Sequence, residues 1–414
     1  MHVILATIGS AGDLFPFLWI GRALHARGHR VDFLGPVQHA PFVDQAGLTF
    51  HGLPADMAVL DHPDLWHPTR GLSVVWEATR PAMTQLPALV EALATEKQTV
   101  LLAHPLALPE ADLCRHARPD LKIAAAWLAP SNLPTVHDLL LLGPWPVPTW
   151  VPHGMRRRLW RTLAARFIDP VALPGLNRAR AARGLGEVKD FVGYMTTVPD
   201  LSLALFPDWF AAAPPDWPKP LHQAGFPLYD PDPGAAPGAG LRAFLDAGAP
   251  PVVFTPGTGN RQAARYFAAA AQAVQELGLR AIFLTPHREQ LPQPLPEAIC
   301  WQEYVPLKAL LPHVAALVHH GGIGTTAEAL RAGVPQLVVP LAHDQFDNAA
   351  RVMALGAGAS LHASKVTPAR MVQALRQVVG NEAMARAAAV AAERFVNADS
   401  IAPLCDRLEA LTRA

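Results

Sequence analysis

The segment from His319 to Asn348 constrains the fold more than any other part of the 414-residue chain. Its sequence, HHGGIGTTAEALRAGVPQLVVPLAHDQFDN, reads as a strand end, a glycine turn, a short helix, a second apolar strand and a polar loop that opens another helix. A strand, a connecting helix and a second strand form a βαβ unit, in which the two strands are parallel. The segment therefore predicts a parallel sheet with helices on its faces.

The polar residues of this segment stand where a parallel sheet binds ligands. A helix N-terminus carries unpaired N–H donors and the positive end of a dipole, so it can hold a diphosphate without a metal. His320 can add a donor or a positive charge, Thr325 and Thr326 add hydroxyls, and Glu328 can accept hydrogen bonds from a ribose. The alternative is a tight turn between core elements with internally bonded histidines, which does not explain so many polar residues.

A second polar group follows the next strand, which we predict over residues 336–339. Its side chains are donors and acceptors suited to a polyhydroxylated sugar, and a nucleotide-sugar site is the natural interpretation of the whole segment. The residues are His343, Asp344, Gln345, Asp347 and Asn348.

Apolar runs alternate with helix-like segments along both halves of the chain. We predict strands over residues 3–8, 30–35, 48–53, 99–103 and 122–127, and again over 252–255, 280–284 and 298–302. The expected fold class is α/β, with two doubly wound Rossmann-like domains facing across a cleft and ligands at the carboxyl ends of the strands.

The domain boundaries follow from composition. Residues 227–240 are rich in proline, glycine and alanine and are typical of a linker. We therefore expect an N-terminal domain over 1–226 and a C-terminal domain over 241–395. Residues 396–414 form a C-terminal helix, for which packing back on the N-terminal domain is one arrangement.

Charge and cysteine content exclude several classes of protein. The 34 basic and 34 acidic residues balance, so no overall basic field favours nucleic acid. The three cysteines are far apart in the sequence and indicate a reducing, cytoplasmic location.

No signal peptide is recognisable, and the apolar run 139–151 is too short and proline-rich to span a bilayer. We expect a cytoplasmic protein whose membrane contact is peripheral at most, at the inner-membrane face.

Residues 155–161 combine methionine, leucine and tryptophan with four arginines, and further arginines follow at 166, 178, 180 and 183. One interpretation is a solvated helix face. The other is a basic, aromatic-bearing surface that rests on anionic lipid.

Three further clusters could carry chemistry. Residues 9–13, GSAGD, follow the first strand without matching GxGxxG, and Asp13 either caps the next helix or acts in catalysis. Thr258, in the turn 255–260, either bonds a phosphate or belongs to an ordinary strand–helix turn. An aromatic residue in 301–306 either stacks on a base or lies in the core. The pair Asp230 and Asp232 matches a DxD spacing but lies in the linker, so we predict no metal site.

These clusters, in this order, resemble the family 1 glycosyltransferases of the GT-B fold over essentially the whole chain. The N-terminal pattern G-S-x-G-D-x-x-P stands at residues 9–16, and G-H-x-V stands at 28–31. The C-terminal pattern H-x-G-x-x-[ST]-x-x-E begins at His320 and is followed by G-V-P at 333–335 and D-Q-x-x-N at 344–348.

The resemblance implies a role for each matching residue. Asp13 would be the catalytic base, and a nucleotide sugar would be the co-substrate, without a metal or other cofactor. The diphosphate would be held by Thr258, His320, Gly322 and Thr325, the nucleoside by Tyr304, Val305 and Glu328, and the sugar by Asp344 and Gln345.

Further stretches resemble the bacterial rhamnosyltransferases of rhamnolipid biosynthesis. They are residues 8–17, 64–68, 206–210, 216–222 and 225–228. This resemblance implies dTDP-L-rhamnose as donor, an apolar 3-(3-hydroxyalkanoyloxy)alkanoate as acceptor, a mono-rhamnolipid as product and a partner enzyme that supplies the lipid. Sterol glucosyltransferases share part of the pattern, so a UDP-glucose-dependent sterol, macrolide or other natural-product glucosyltransferase is the alternative.

We hypothesise an inverting transfer of a hexose in which Asp13 takes the acceptor proton. The acceptor region would include Ser10, Gly12, Ser131 and Asn132 and an apolar wall over 139–150. Two other classes remain: a sugar-nucleotide 2-epimerase, which does not need the Gly-Asp loop, and an inactive nucleotide-sugar-binding partner.

Overall fold

The protein is described from a computed structural model that covers residues 1–67, 69–143, 145–230, 232, 234–396 and 399–413. It consists of two compact units, Met1–Pro231 together with Asp399–Ala414, and Asp232–Ala398. The first border between them falls inside the predicted linker 227–240, and a helix begins before that segment ends, at Ala239.

The described residues of the first unit form a seven-stranded parallel sheet in the order β3-β2-β1-β4-β5-β8-β9, and a two-stranded antiparallel hairpin, β6-β7. The central strands are buried apolar runs, as expected where helices cover both faces of a sheet. The strands are β1 His2–Ala6, β2 Arg30–Pro36, β3 Thr49–Leu53, β4 Thr99–Ala103, β5 Lys122–Trp127, β6 Leu141–Leu142, β7 Trp145–Pro146, β8 Leu201–Ala204 and β9 Leu221–Gln223.

Helices connect and cover this sheet. They are α1 Ala11–Ala26, α2 Ala40–Gln45, α3 Gly71–Leu93, α4 Leu108–Ala117, α5 His153–Leu163, α6 Asp169–Ala181 and α7 Phe191–Thr197. One π-helical turn, Ala164–Ile168, joins α5 to α6. The C-terminal helix Ile401–Leu411 packs beside α1, where Arg27 lies 2.6 Å from the carboxylate of Asp406, and His29 lies 3.0 Å from that of Glu409.

The second unit has a six-stranded parallel sheet in the order β12-β11-β10-β13-β14-β15. Its strands are β10 Val252–Thr255, β11 Ala281–Leu284, β12 Ile299–Gln302, β13 Ala316–His319, β14 Gln336–Val338 and β15 Gly358–Ser360. Its helices are α8 Ala239–Asp246, α9 Ala264–Glu276, α10 Leu307–Leu310, α11 Ile323–Ala332, α12 Gln345–Ala354, α13 Pro368–Val378 and α14 Glu382–Glu393. The predicted βαβ unit is present as β13, α11 and β14.

The two sheets confirm the predicted α/β class with doubly wound order. Both sheets begin with the order 3-2-1-4-5 in terms of their own strands, which is that of a Rossmann fold. The element β15 is absent from the sequence prediction, because its three residues, Gly-Ala-Ser, lack a strand-like apolar run. None of the described helices combines the length and apolar character needed to cross a bilayer.

Candidate active site

The strand orders fix where ligands are expected in each unit. In the first sheet β1 lies between β2 and β4, and in the second β10 lies between β11 and β13. The connections on the two sides of β1 and of β10 run in opposite directions, and a doubly wound sheet binds ligands outside its carboxyl edge at that switch point. The candidate residues that follow these strands are Asp13 and His104 in the first unit, and Thr258 and His320 in the second.

Asp13 is the third residue of α1, directly after the glycine loop that ends β1. Its Oδ2 atom accepts a hydrogen bond from the backbone N–H of Ser10 at 2.8 Å, which is one half of a capping box. Gly9 is required here, because its φ is 125° and a Cβ added to it would lie 2.2 Å from Oδ2. The side chain of Asp13 keeps 29% of its surface exposed, so a substrate can reach it.

His104 is a site residue that the sequence analysis missed. It follows β4 directly, and its Nε2 atom lies 3.4 Å from Oδ1 of Asp13. Its Nδ1 atom accepts a hydrogen bond from the N–H of Leu106 at 3.2 Å, so Nε2 carries a proton and faces the carboxylate. A polar residue at the end of a buried strand was the signal that could have identified it.

Burial raises the pKa of Asp13, but the hydrogen bond and charge of His104 and the bonds from Ser10 outweigh it, so the pKa lies below its ordinary value. Asp13 is therefore ionised at neutral pH and can accept a proton. His39, after β2, is only 5% exposed, and burial lowers its pKa although the charge of Asp13 opposes the shift.

The predicted acceptor residues lie at the same edge of the first sheet. Ser10, Gly12 and Ser131 are exposed, while Asn132 accepts the N–H of Ala129 at 2.9 Å and thereby closes the turn after β5. The segment predicted as an apolar wall, 139–150, contains the β6-β7 hairpin.

His320 occupies the switch point of the second sheet. A Cβ added to Gly257, whose φ is 92°, would lie 2.8 Å from the imidazole, so the ring fits against the turn after β10 only because residue 257 is glycine. Burial lowers the pKa of His320 to about 4, so the ring is neutral at pH 7. Of the two predicted roles, the neutral ring fits the hydrogen-bond donor and not the positive charge. Its Nδ1 atom is buried without a partner among the described residues.

Helix α11 begins at Ile323, with Gly322 as the preceding N-cap residue. The first-turn N–H groups have no acceptor inside the helix and suit an anion. Thr325 is partly exposed and Thr258 is exposed, so both hydroxyls can reach a ligand. The expectation for Thr326 is wrong, because its side chain is completely buried.

The nucleoside residues differ in exposure. Tyr304 is 60% exposed, whereas Val305 is 6% exposed and belongs to the apolar core. Glu328 keeps 18% of its side chain exposed and forms an ion pair with Arg331, one turn further along α11. Arg331 was not foreseen from the sequence, and it holds the carboxylate that we expect to meet the ribose.

The polar loop after β14 divides into exposed and internal residues. Asp344 is partly exposed, and its Oδ2 atom accepts a hydrogen bond from Nδ2 of Asn348 at 2.8 Å. Gln345 is 4% exposed, and its Oε1 atom accepts the N–H groups of residues 341 and 342 at 2.8 and 3.1 Å. Its amide nitrogen alone is left for a sugar hydroxyl.

Two residues of this loop do not fit the sugar-binding expectation. Asp347 is 5% exposed and paired with Arg351 at 2.8 Å, and Asn348 is fully buried and donates to the carbonyl oxygen of Gly321 at 2.9 Å. The bond from Asn348 ties α12 to the turn after β13, while Asp347 pairs within α12. His319 is likewise structural, since its Nε2 lies 2.9 Å from Oε1 of Gln336.

Among the described residues, no group of three or more histidine, cysteine, aspartate or glutamate side chains is placed to hold a metal ion. The anion-binding features of the second unit are the backbone N–H groups, hydroxyls and imidazole described above. They fit a diphosphate.

Comparison with known proteins agrees with this arrangement. Residues 3–108 match the N-terminal domain of glycosyltransferase family 28, and residues 281–411 match the C-terminal domain of the erythromycin biosynthesis protein CIII-like family. The chain is 33% identical over 425 residues to O-mycaminosyltylonolide 6-deoxyallosyltransferase of Streptomyces fradiae, covering 96% of this chain and 95% of that protein. The protein therefore belongs to the glycosyltransferases of the family 1 and family 28 type that have an EryCIII-like C-terminal domain.

Solved structures confirm the GT-B class. The glycosyltransferase of kitacinnamycin superposes with a TM-score of 0.74 at 22% identity, covering 99% of both chains. The spinosyn rhamnosyltransferase SpnG, solved with thymidine diphosphate, gives 0.66 at 24% identity, covering 99% of this chain and all of that one. The predicted fold and the glycosyltransferase class are thus confirmed, while the individual residue roles remain predictions.

Proposed function

We propose that the enzyme is an inverting rhamnosyltransferase that uses dTDP-L-rhamnose and glycosylates a hydroxyl of an apolar acceptor. The acceptor we favour is a 3-(3-hydroxyalkanoyloxy)alkanoate, which gives a mono-rhamnolipid. The observation that carries the proposal is the pair of polar clusters at the two switch points. The first unit has the ionised carboxylate of Asp13, and the second has an anion cradle, formed by the turn after β10, His320 and the first turn of α11. Thymidine diphosphate in the spinosyn rhamnosyltransferase and a 6-deoxysugar in the Streptomyces fradiae relative's name support this donor.

The donor would be held by the second unit. The N–H groups of the first turn of α11, the hydroxyls of Thr258 and Thr325 and the neutral ring of His320 would donate to the diphosphate. Glu328, oriented by Arg331, would accept from the 3′-hydroxyl of a thymidine donor. Asp344 and the amide of Gln345 would contact the sugar.

The acceptor would be activated by Asp13. The hydroxyl oxygen of the acceptor attacks the anomeric carbon on the face opposite the diphosphate. The new C–O bond forms as the bond to the diphosphate oxygen breaks, and the proton of the acceptor hydroxyl passes to Asp13. A carboxylate with a lowered pKa is a weak base, so proton transfer is expected to be late, as an oxocarbenium-like transition state allows.

A second acceptor class is favoured by one comparison. The Streptomyces fradiae relative is named for action on O-mycaminosyltylonolide, so a macrolide aglycone is the alternative to the lipid hydroxy acid. A UDP-glucose donor with a sterol or macrolide acceptor is the corresponding alternative for the whole reaction.

The test is a matrix of donors and acceptors with the purified full chain. dTDP-L-rhamnose and UDP-glucose are each combined with a lipid hydroxy acid, a macrolide aglycone and a sterol, and product masses are recorded. We expect a rhamnosylated lipid from the first donor. A glucosylated sterol or macrolide would replace the proposal with its alternative, and no nucleoside diphosphate release with any pair would favour the inactive binding partner.

A further inference from the structure

Exposed apolar side chains are concentrated in one short segment of the first unit. Among the described residues, eleven large hydrophobic side chains are exposed, and five of them lie between residues 145 and 167. Exposed apolar side chains that lie near one another often mark a surface that meets another phase or molecule. They are Trp145 at 72%, Trp150 at 81%, Met155 at 63%, Leu159 at 36% and Phe167 at 41%.

The same segment carries charge of one sign. From residue 139 to residue 168 the chain has five arginines and neither aspartate nor glutamate. Arg157, Arg158 and Arg161 of α5 are exposed, and none of them forms an ion pair with another described residue. We call residues 145–167 the basic-aromatic surface.

The structure also shows what holds α5 in place. Arg156 is 2% exposed and donates to the carbonyl oxygen of Asp138, while the ring of His153 packs against that of His137 with centroids 4.3 Å apart. Met155 and Leu159 are four residues apart, so they stand on one side of the helix, with Arg158 next to them. The helix is thus anchored on one face and presents apolar and cationic side chains on the others.

We propose that the basic-aromatic surface docks the enzyme on a membrane rich in anionic lipid. Arginines pair with lipid phosphates, each strengthening binding by about fivefold, and tryptophan favours the headgroup level of a bilayer. A nucleic acid would satisfy the arginines but would leave the aliphatic side chains of Met155 and Leu159 in water. Apolar contact together with several cations supplies the two signals that stable peripheral binding requires.

The first experiment measures binding of the full chain to vesicles, without substrates. We expect sedimentation with phosphatidylglycerol vesicles, weak sedimentation with phosphatidylcholine vesicles, and loss of binding as salt is raised. The triple variant R157Q/R158Q/R161Q should lower the partition coefficient about 100-fold. The matched control R370Q/R376Q/R386Q removes the same charge from exposed arginines of the second unit and should leave binding unchanged. Thermal melting confirms that both variants fold.

The second experiment tests insertion. Brominated phosphatidylglycerol should quench tryptophan fluorescence in the wild type and much less in W145L/W150L. Failure to bind anionic vesicles, equal binding to both lipids, or equal losses in the two triple variants would overturn the proposal. So would binding without quenching, which is the result expected for a surface that meets a soluble acidic partner. Because no substrate is used, these outcomes are independent of the proposed reaction.

Discussion

The geometry of Asp13 is compatible with both of the functions that the sequence presented as alternatives, helix capping and catalysis. Its Oδ2 atom closes a capping box with Ser10, while Oδ1 faces the ring of His104. Capping fixes the orientation of the side chain, and the remaining exposure leaves it open to a substrate. The capping contact therefore does not exclude the proposed role of Asp13 as the base.

Replacement of Asp13 by asparagine tests the base. Asparagine keeps the size and an oxygen for the N–H of Ser10 but takes no proton, so we expect kcat to fall roughly 10²–10⁴-fold. Affinity for thymidine diphosphate, measured by calorimetry, should be unchanged, because the residues expected to bind the diphosphate belong to the second unit. Asp190→Asn is the matched control, since Asp190 caps α7 through the N–H of Gly193 and should tolerate the change. Turnover within fivefold of wild type would refute the assignment.

His104→Ala should change the pH profile as well as the rate. Without the imidazole, only the hydrogen bonds from Ser10 oppose the effect of burial on the pKa of Asp13, so the acid limb of kcat/KM should move to higher pH. Wild type should stay active below pH 5, since its Asp13 titrates below the ordinary value of 3.8. His104→Asn restores a neutral donor and should partly return the limb toward acid. A rate loss with an unmoved limb would show that His104 has only a structural role.

The turn after β10 and the start of α11 together form the proposed anion cradle. The imidazole of His320 packs against Gly257, and the loop of β13 is tied to α12 by the bond from Asn348 to the carbonyl oxygen of Gly321. A change at the turn should therefore be felt in diphosphate binding.

Gly257→Ala tests this contact against a matched control. The new methyl group would meet the ring of His320, whereas Gly278 also has a positive φ, of 61°, with nothing within 4 Å of its added Cβ. Both alanines would have to adopt a positive φ, but only Gly257→Ala places a methyl group against His320. We expect thymidine diphosphate to bind at least about tenfold more weakly, the loss of one charge-assisted hydrogen bond, and Gly278→Ala to bind normally. Equal affinities would place His320 outside the cradle.

The sequence predicted the bounds of several strands better than the orientation of individual side chains. Strands β10, β4 and β5 match the predicted bounds, because apolar runs between turn residues are local signals. The inward direction of Gln345 and Asn348 was not predictable, since it depends on where α12 begins. With the first residue at Gln345, positions 345, 348, 349 and 352 share the buried face.

The doubly wound class was predicted, but no local pattern in the sequence indicates which strands are neighbours. Parallel strands were expected in both units, yet the neighbours β1 and β4, or β10 and β13, are far apart in the chain and pair through long-range contacts. That order brings His104 beside Asp13. Because His104 and Asp13 are far apart in the sequence, no local pattern indicated that they lie close together.

The protein as a whole should lose stability in mild acid. Burial lowers the pKa of His319 to about 3 and that of His320 to about 4, whereas an unfolded histidine titrates near 6.5. The unfolded chain then binds more protons than the native one, so the stabilising contribution is present above pH 6.5 and declines as pH falls toward the folded values. Carboxylates with lowered pKa values, such as Asp13 and Asp32, reinforce this trend only in stronger acid.

Between pH 7.5 and 5.5 the two histidines should together cost about 3 kcal/mol of the free energy of unfolding of the second unit. Urea titrations at these two values measure the loss. His320→Gln removes one of the two groups and should halve it, while His116→Gln, at an exposed position of the first unit, should leave it unchanged. Two results would show that His320 is protonated in the native state. One is an unfolding free energy that does not vary between pH 7.5 and 5.5, and the other is the same change of unfolding free energy with pH in wild type and His320→Gln. His320 would then meet the diphosphate as a cation.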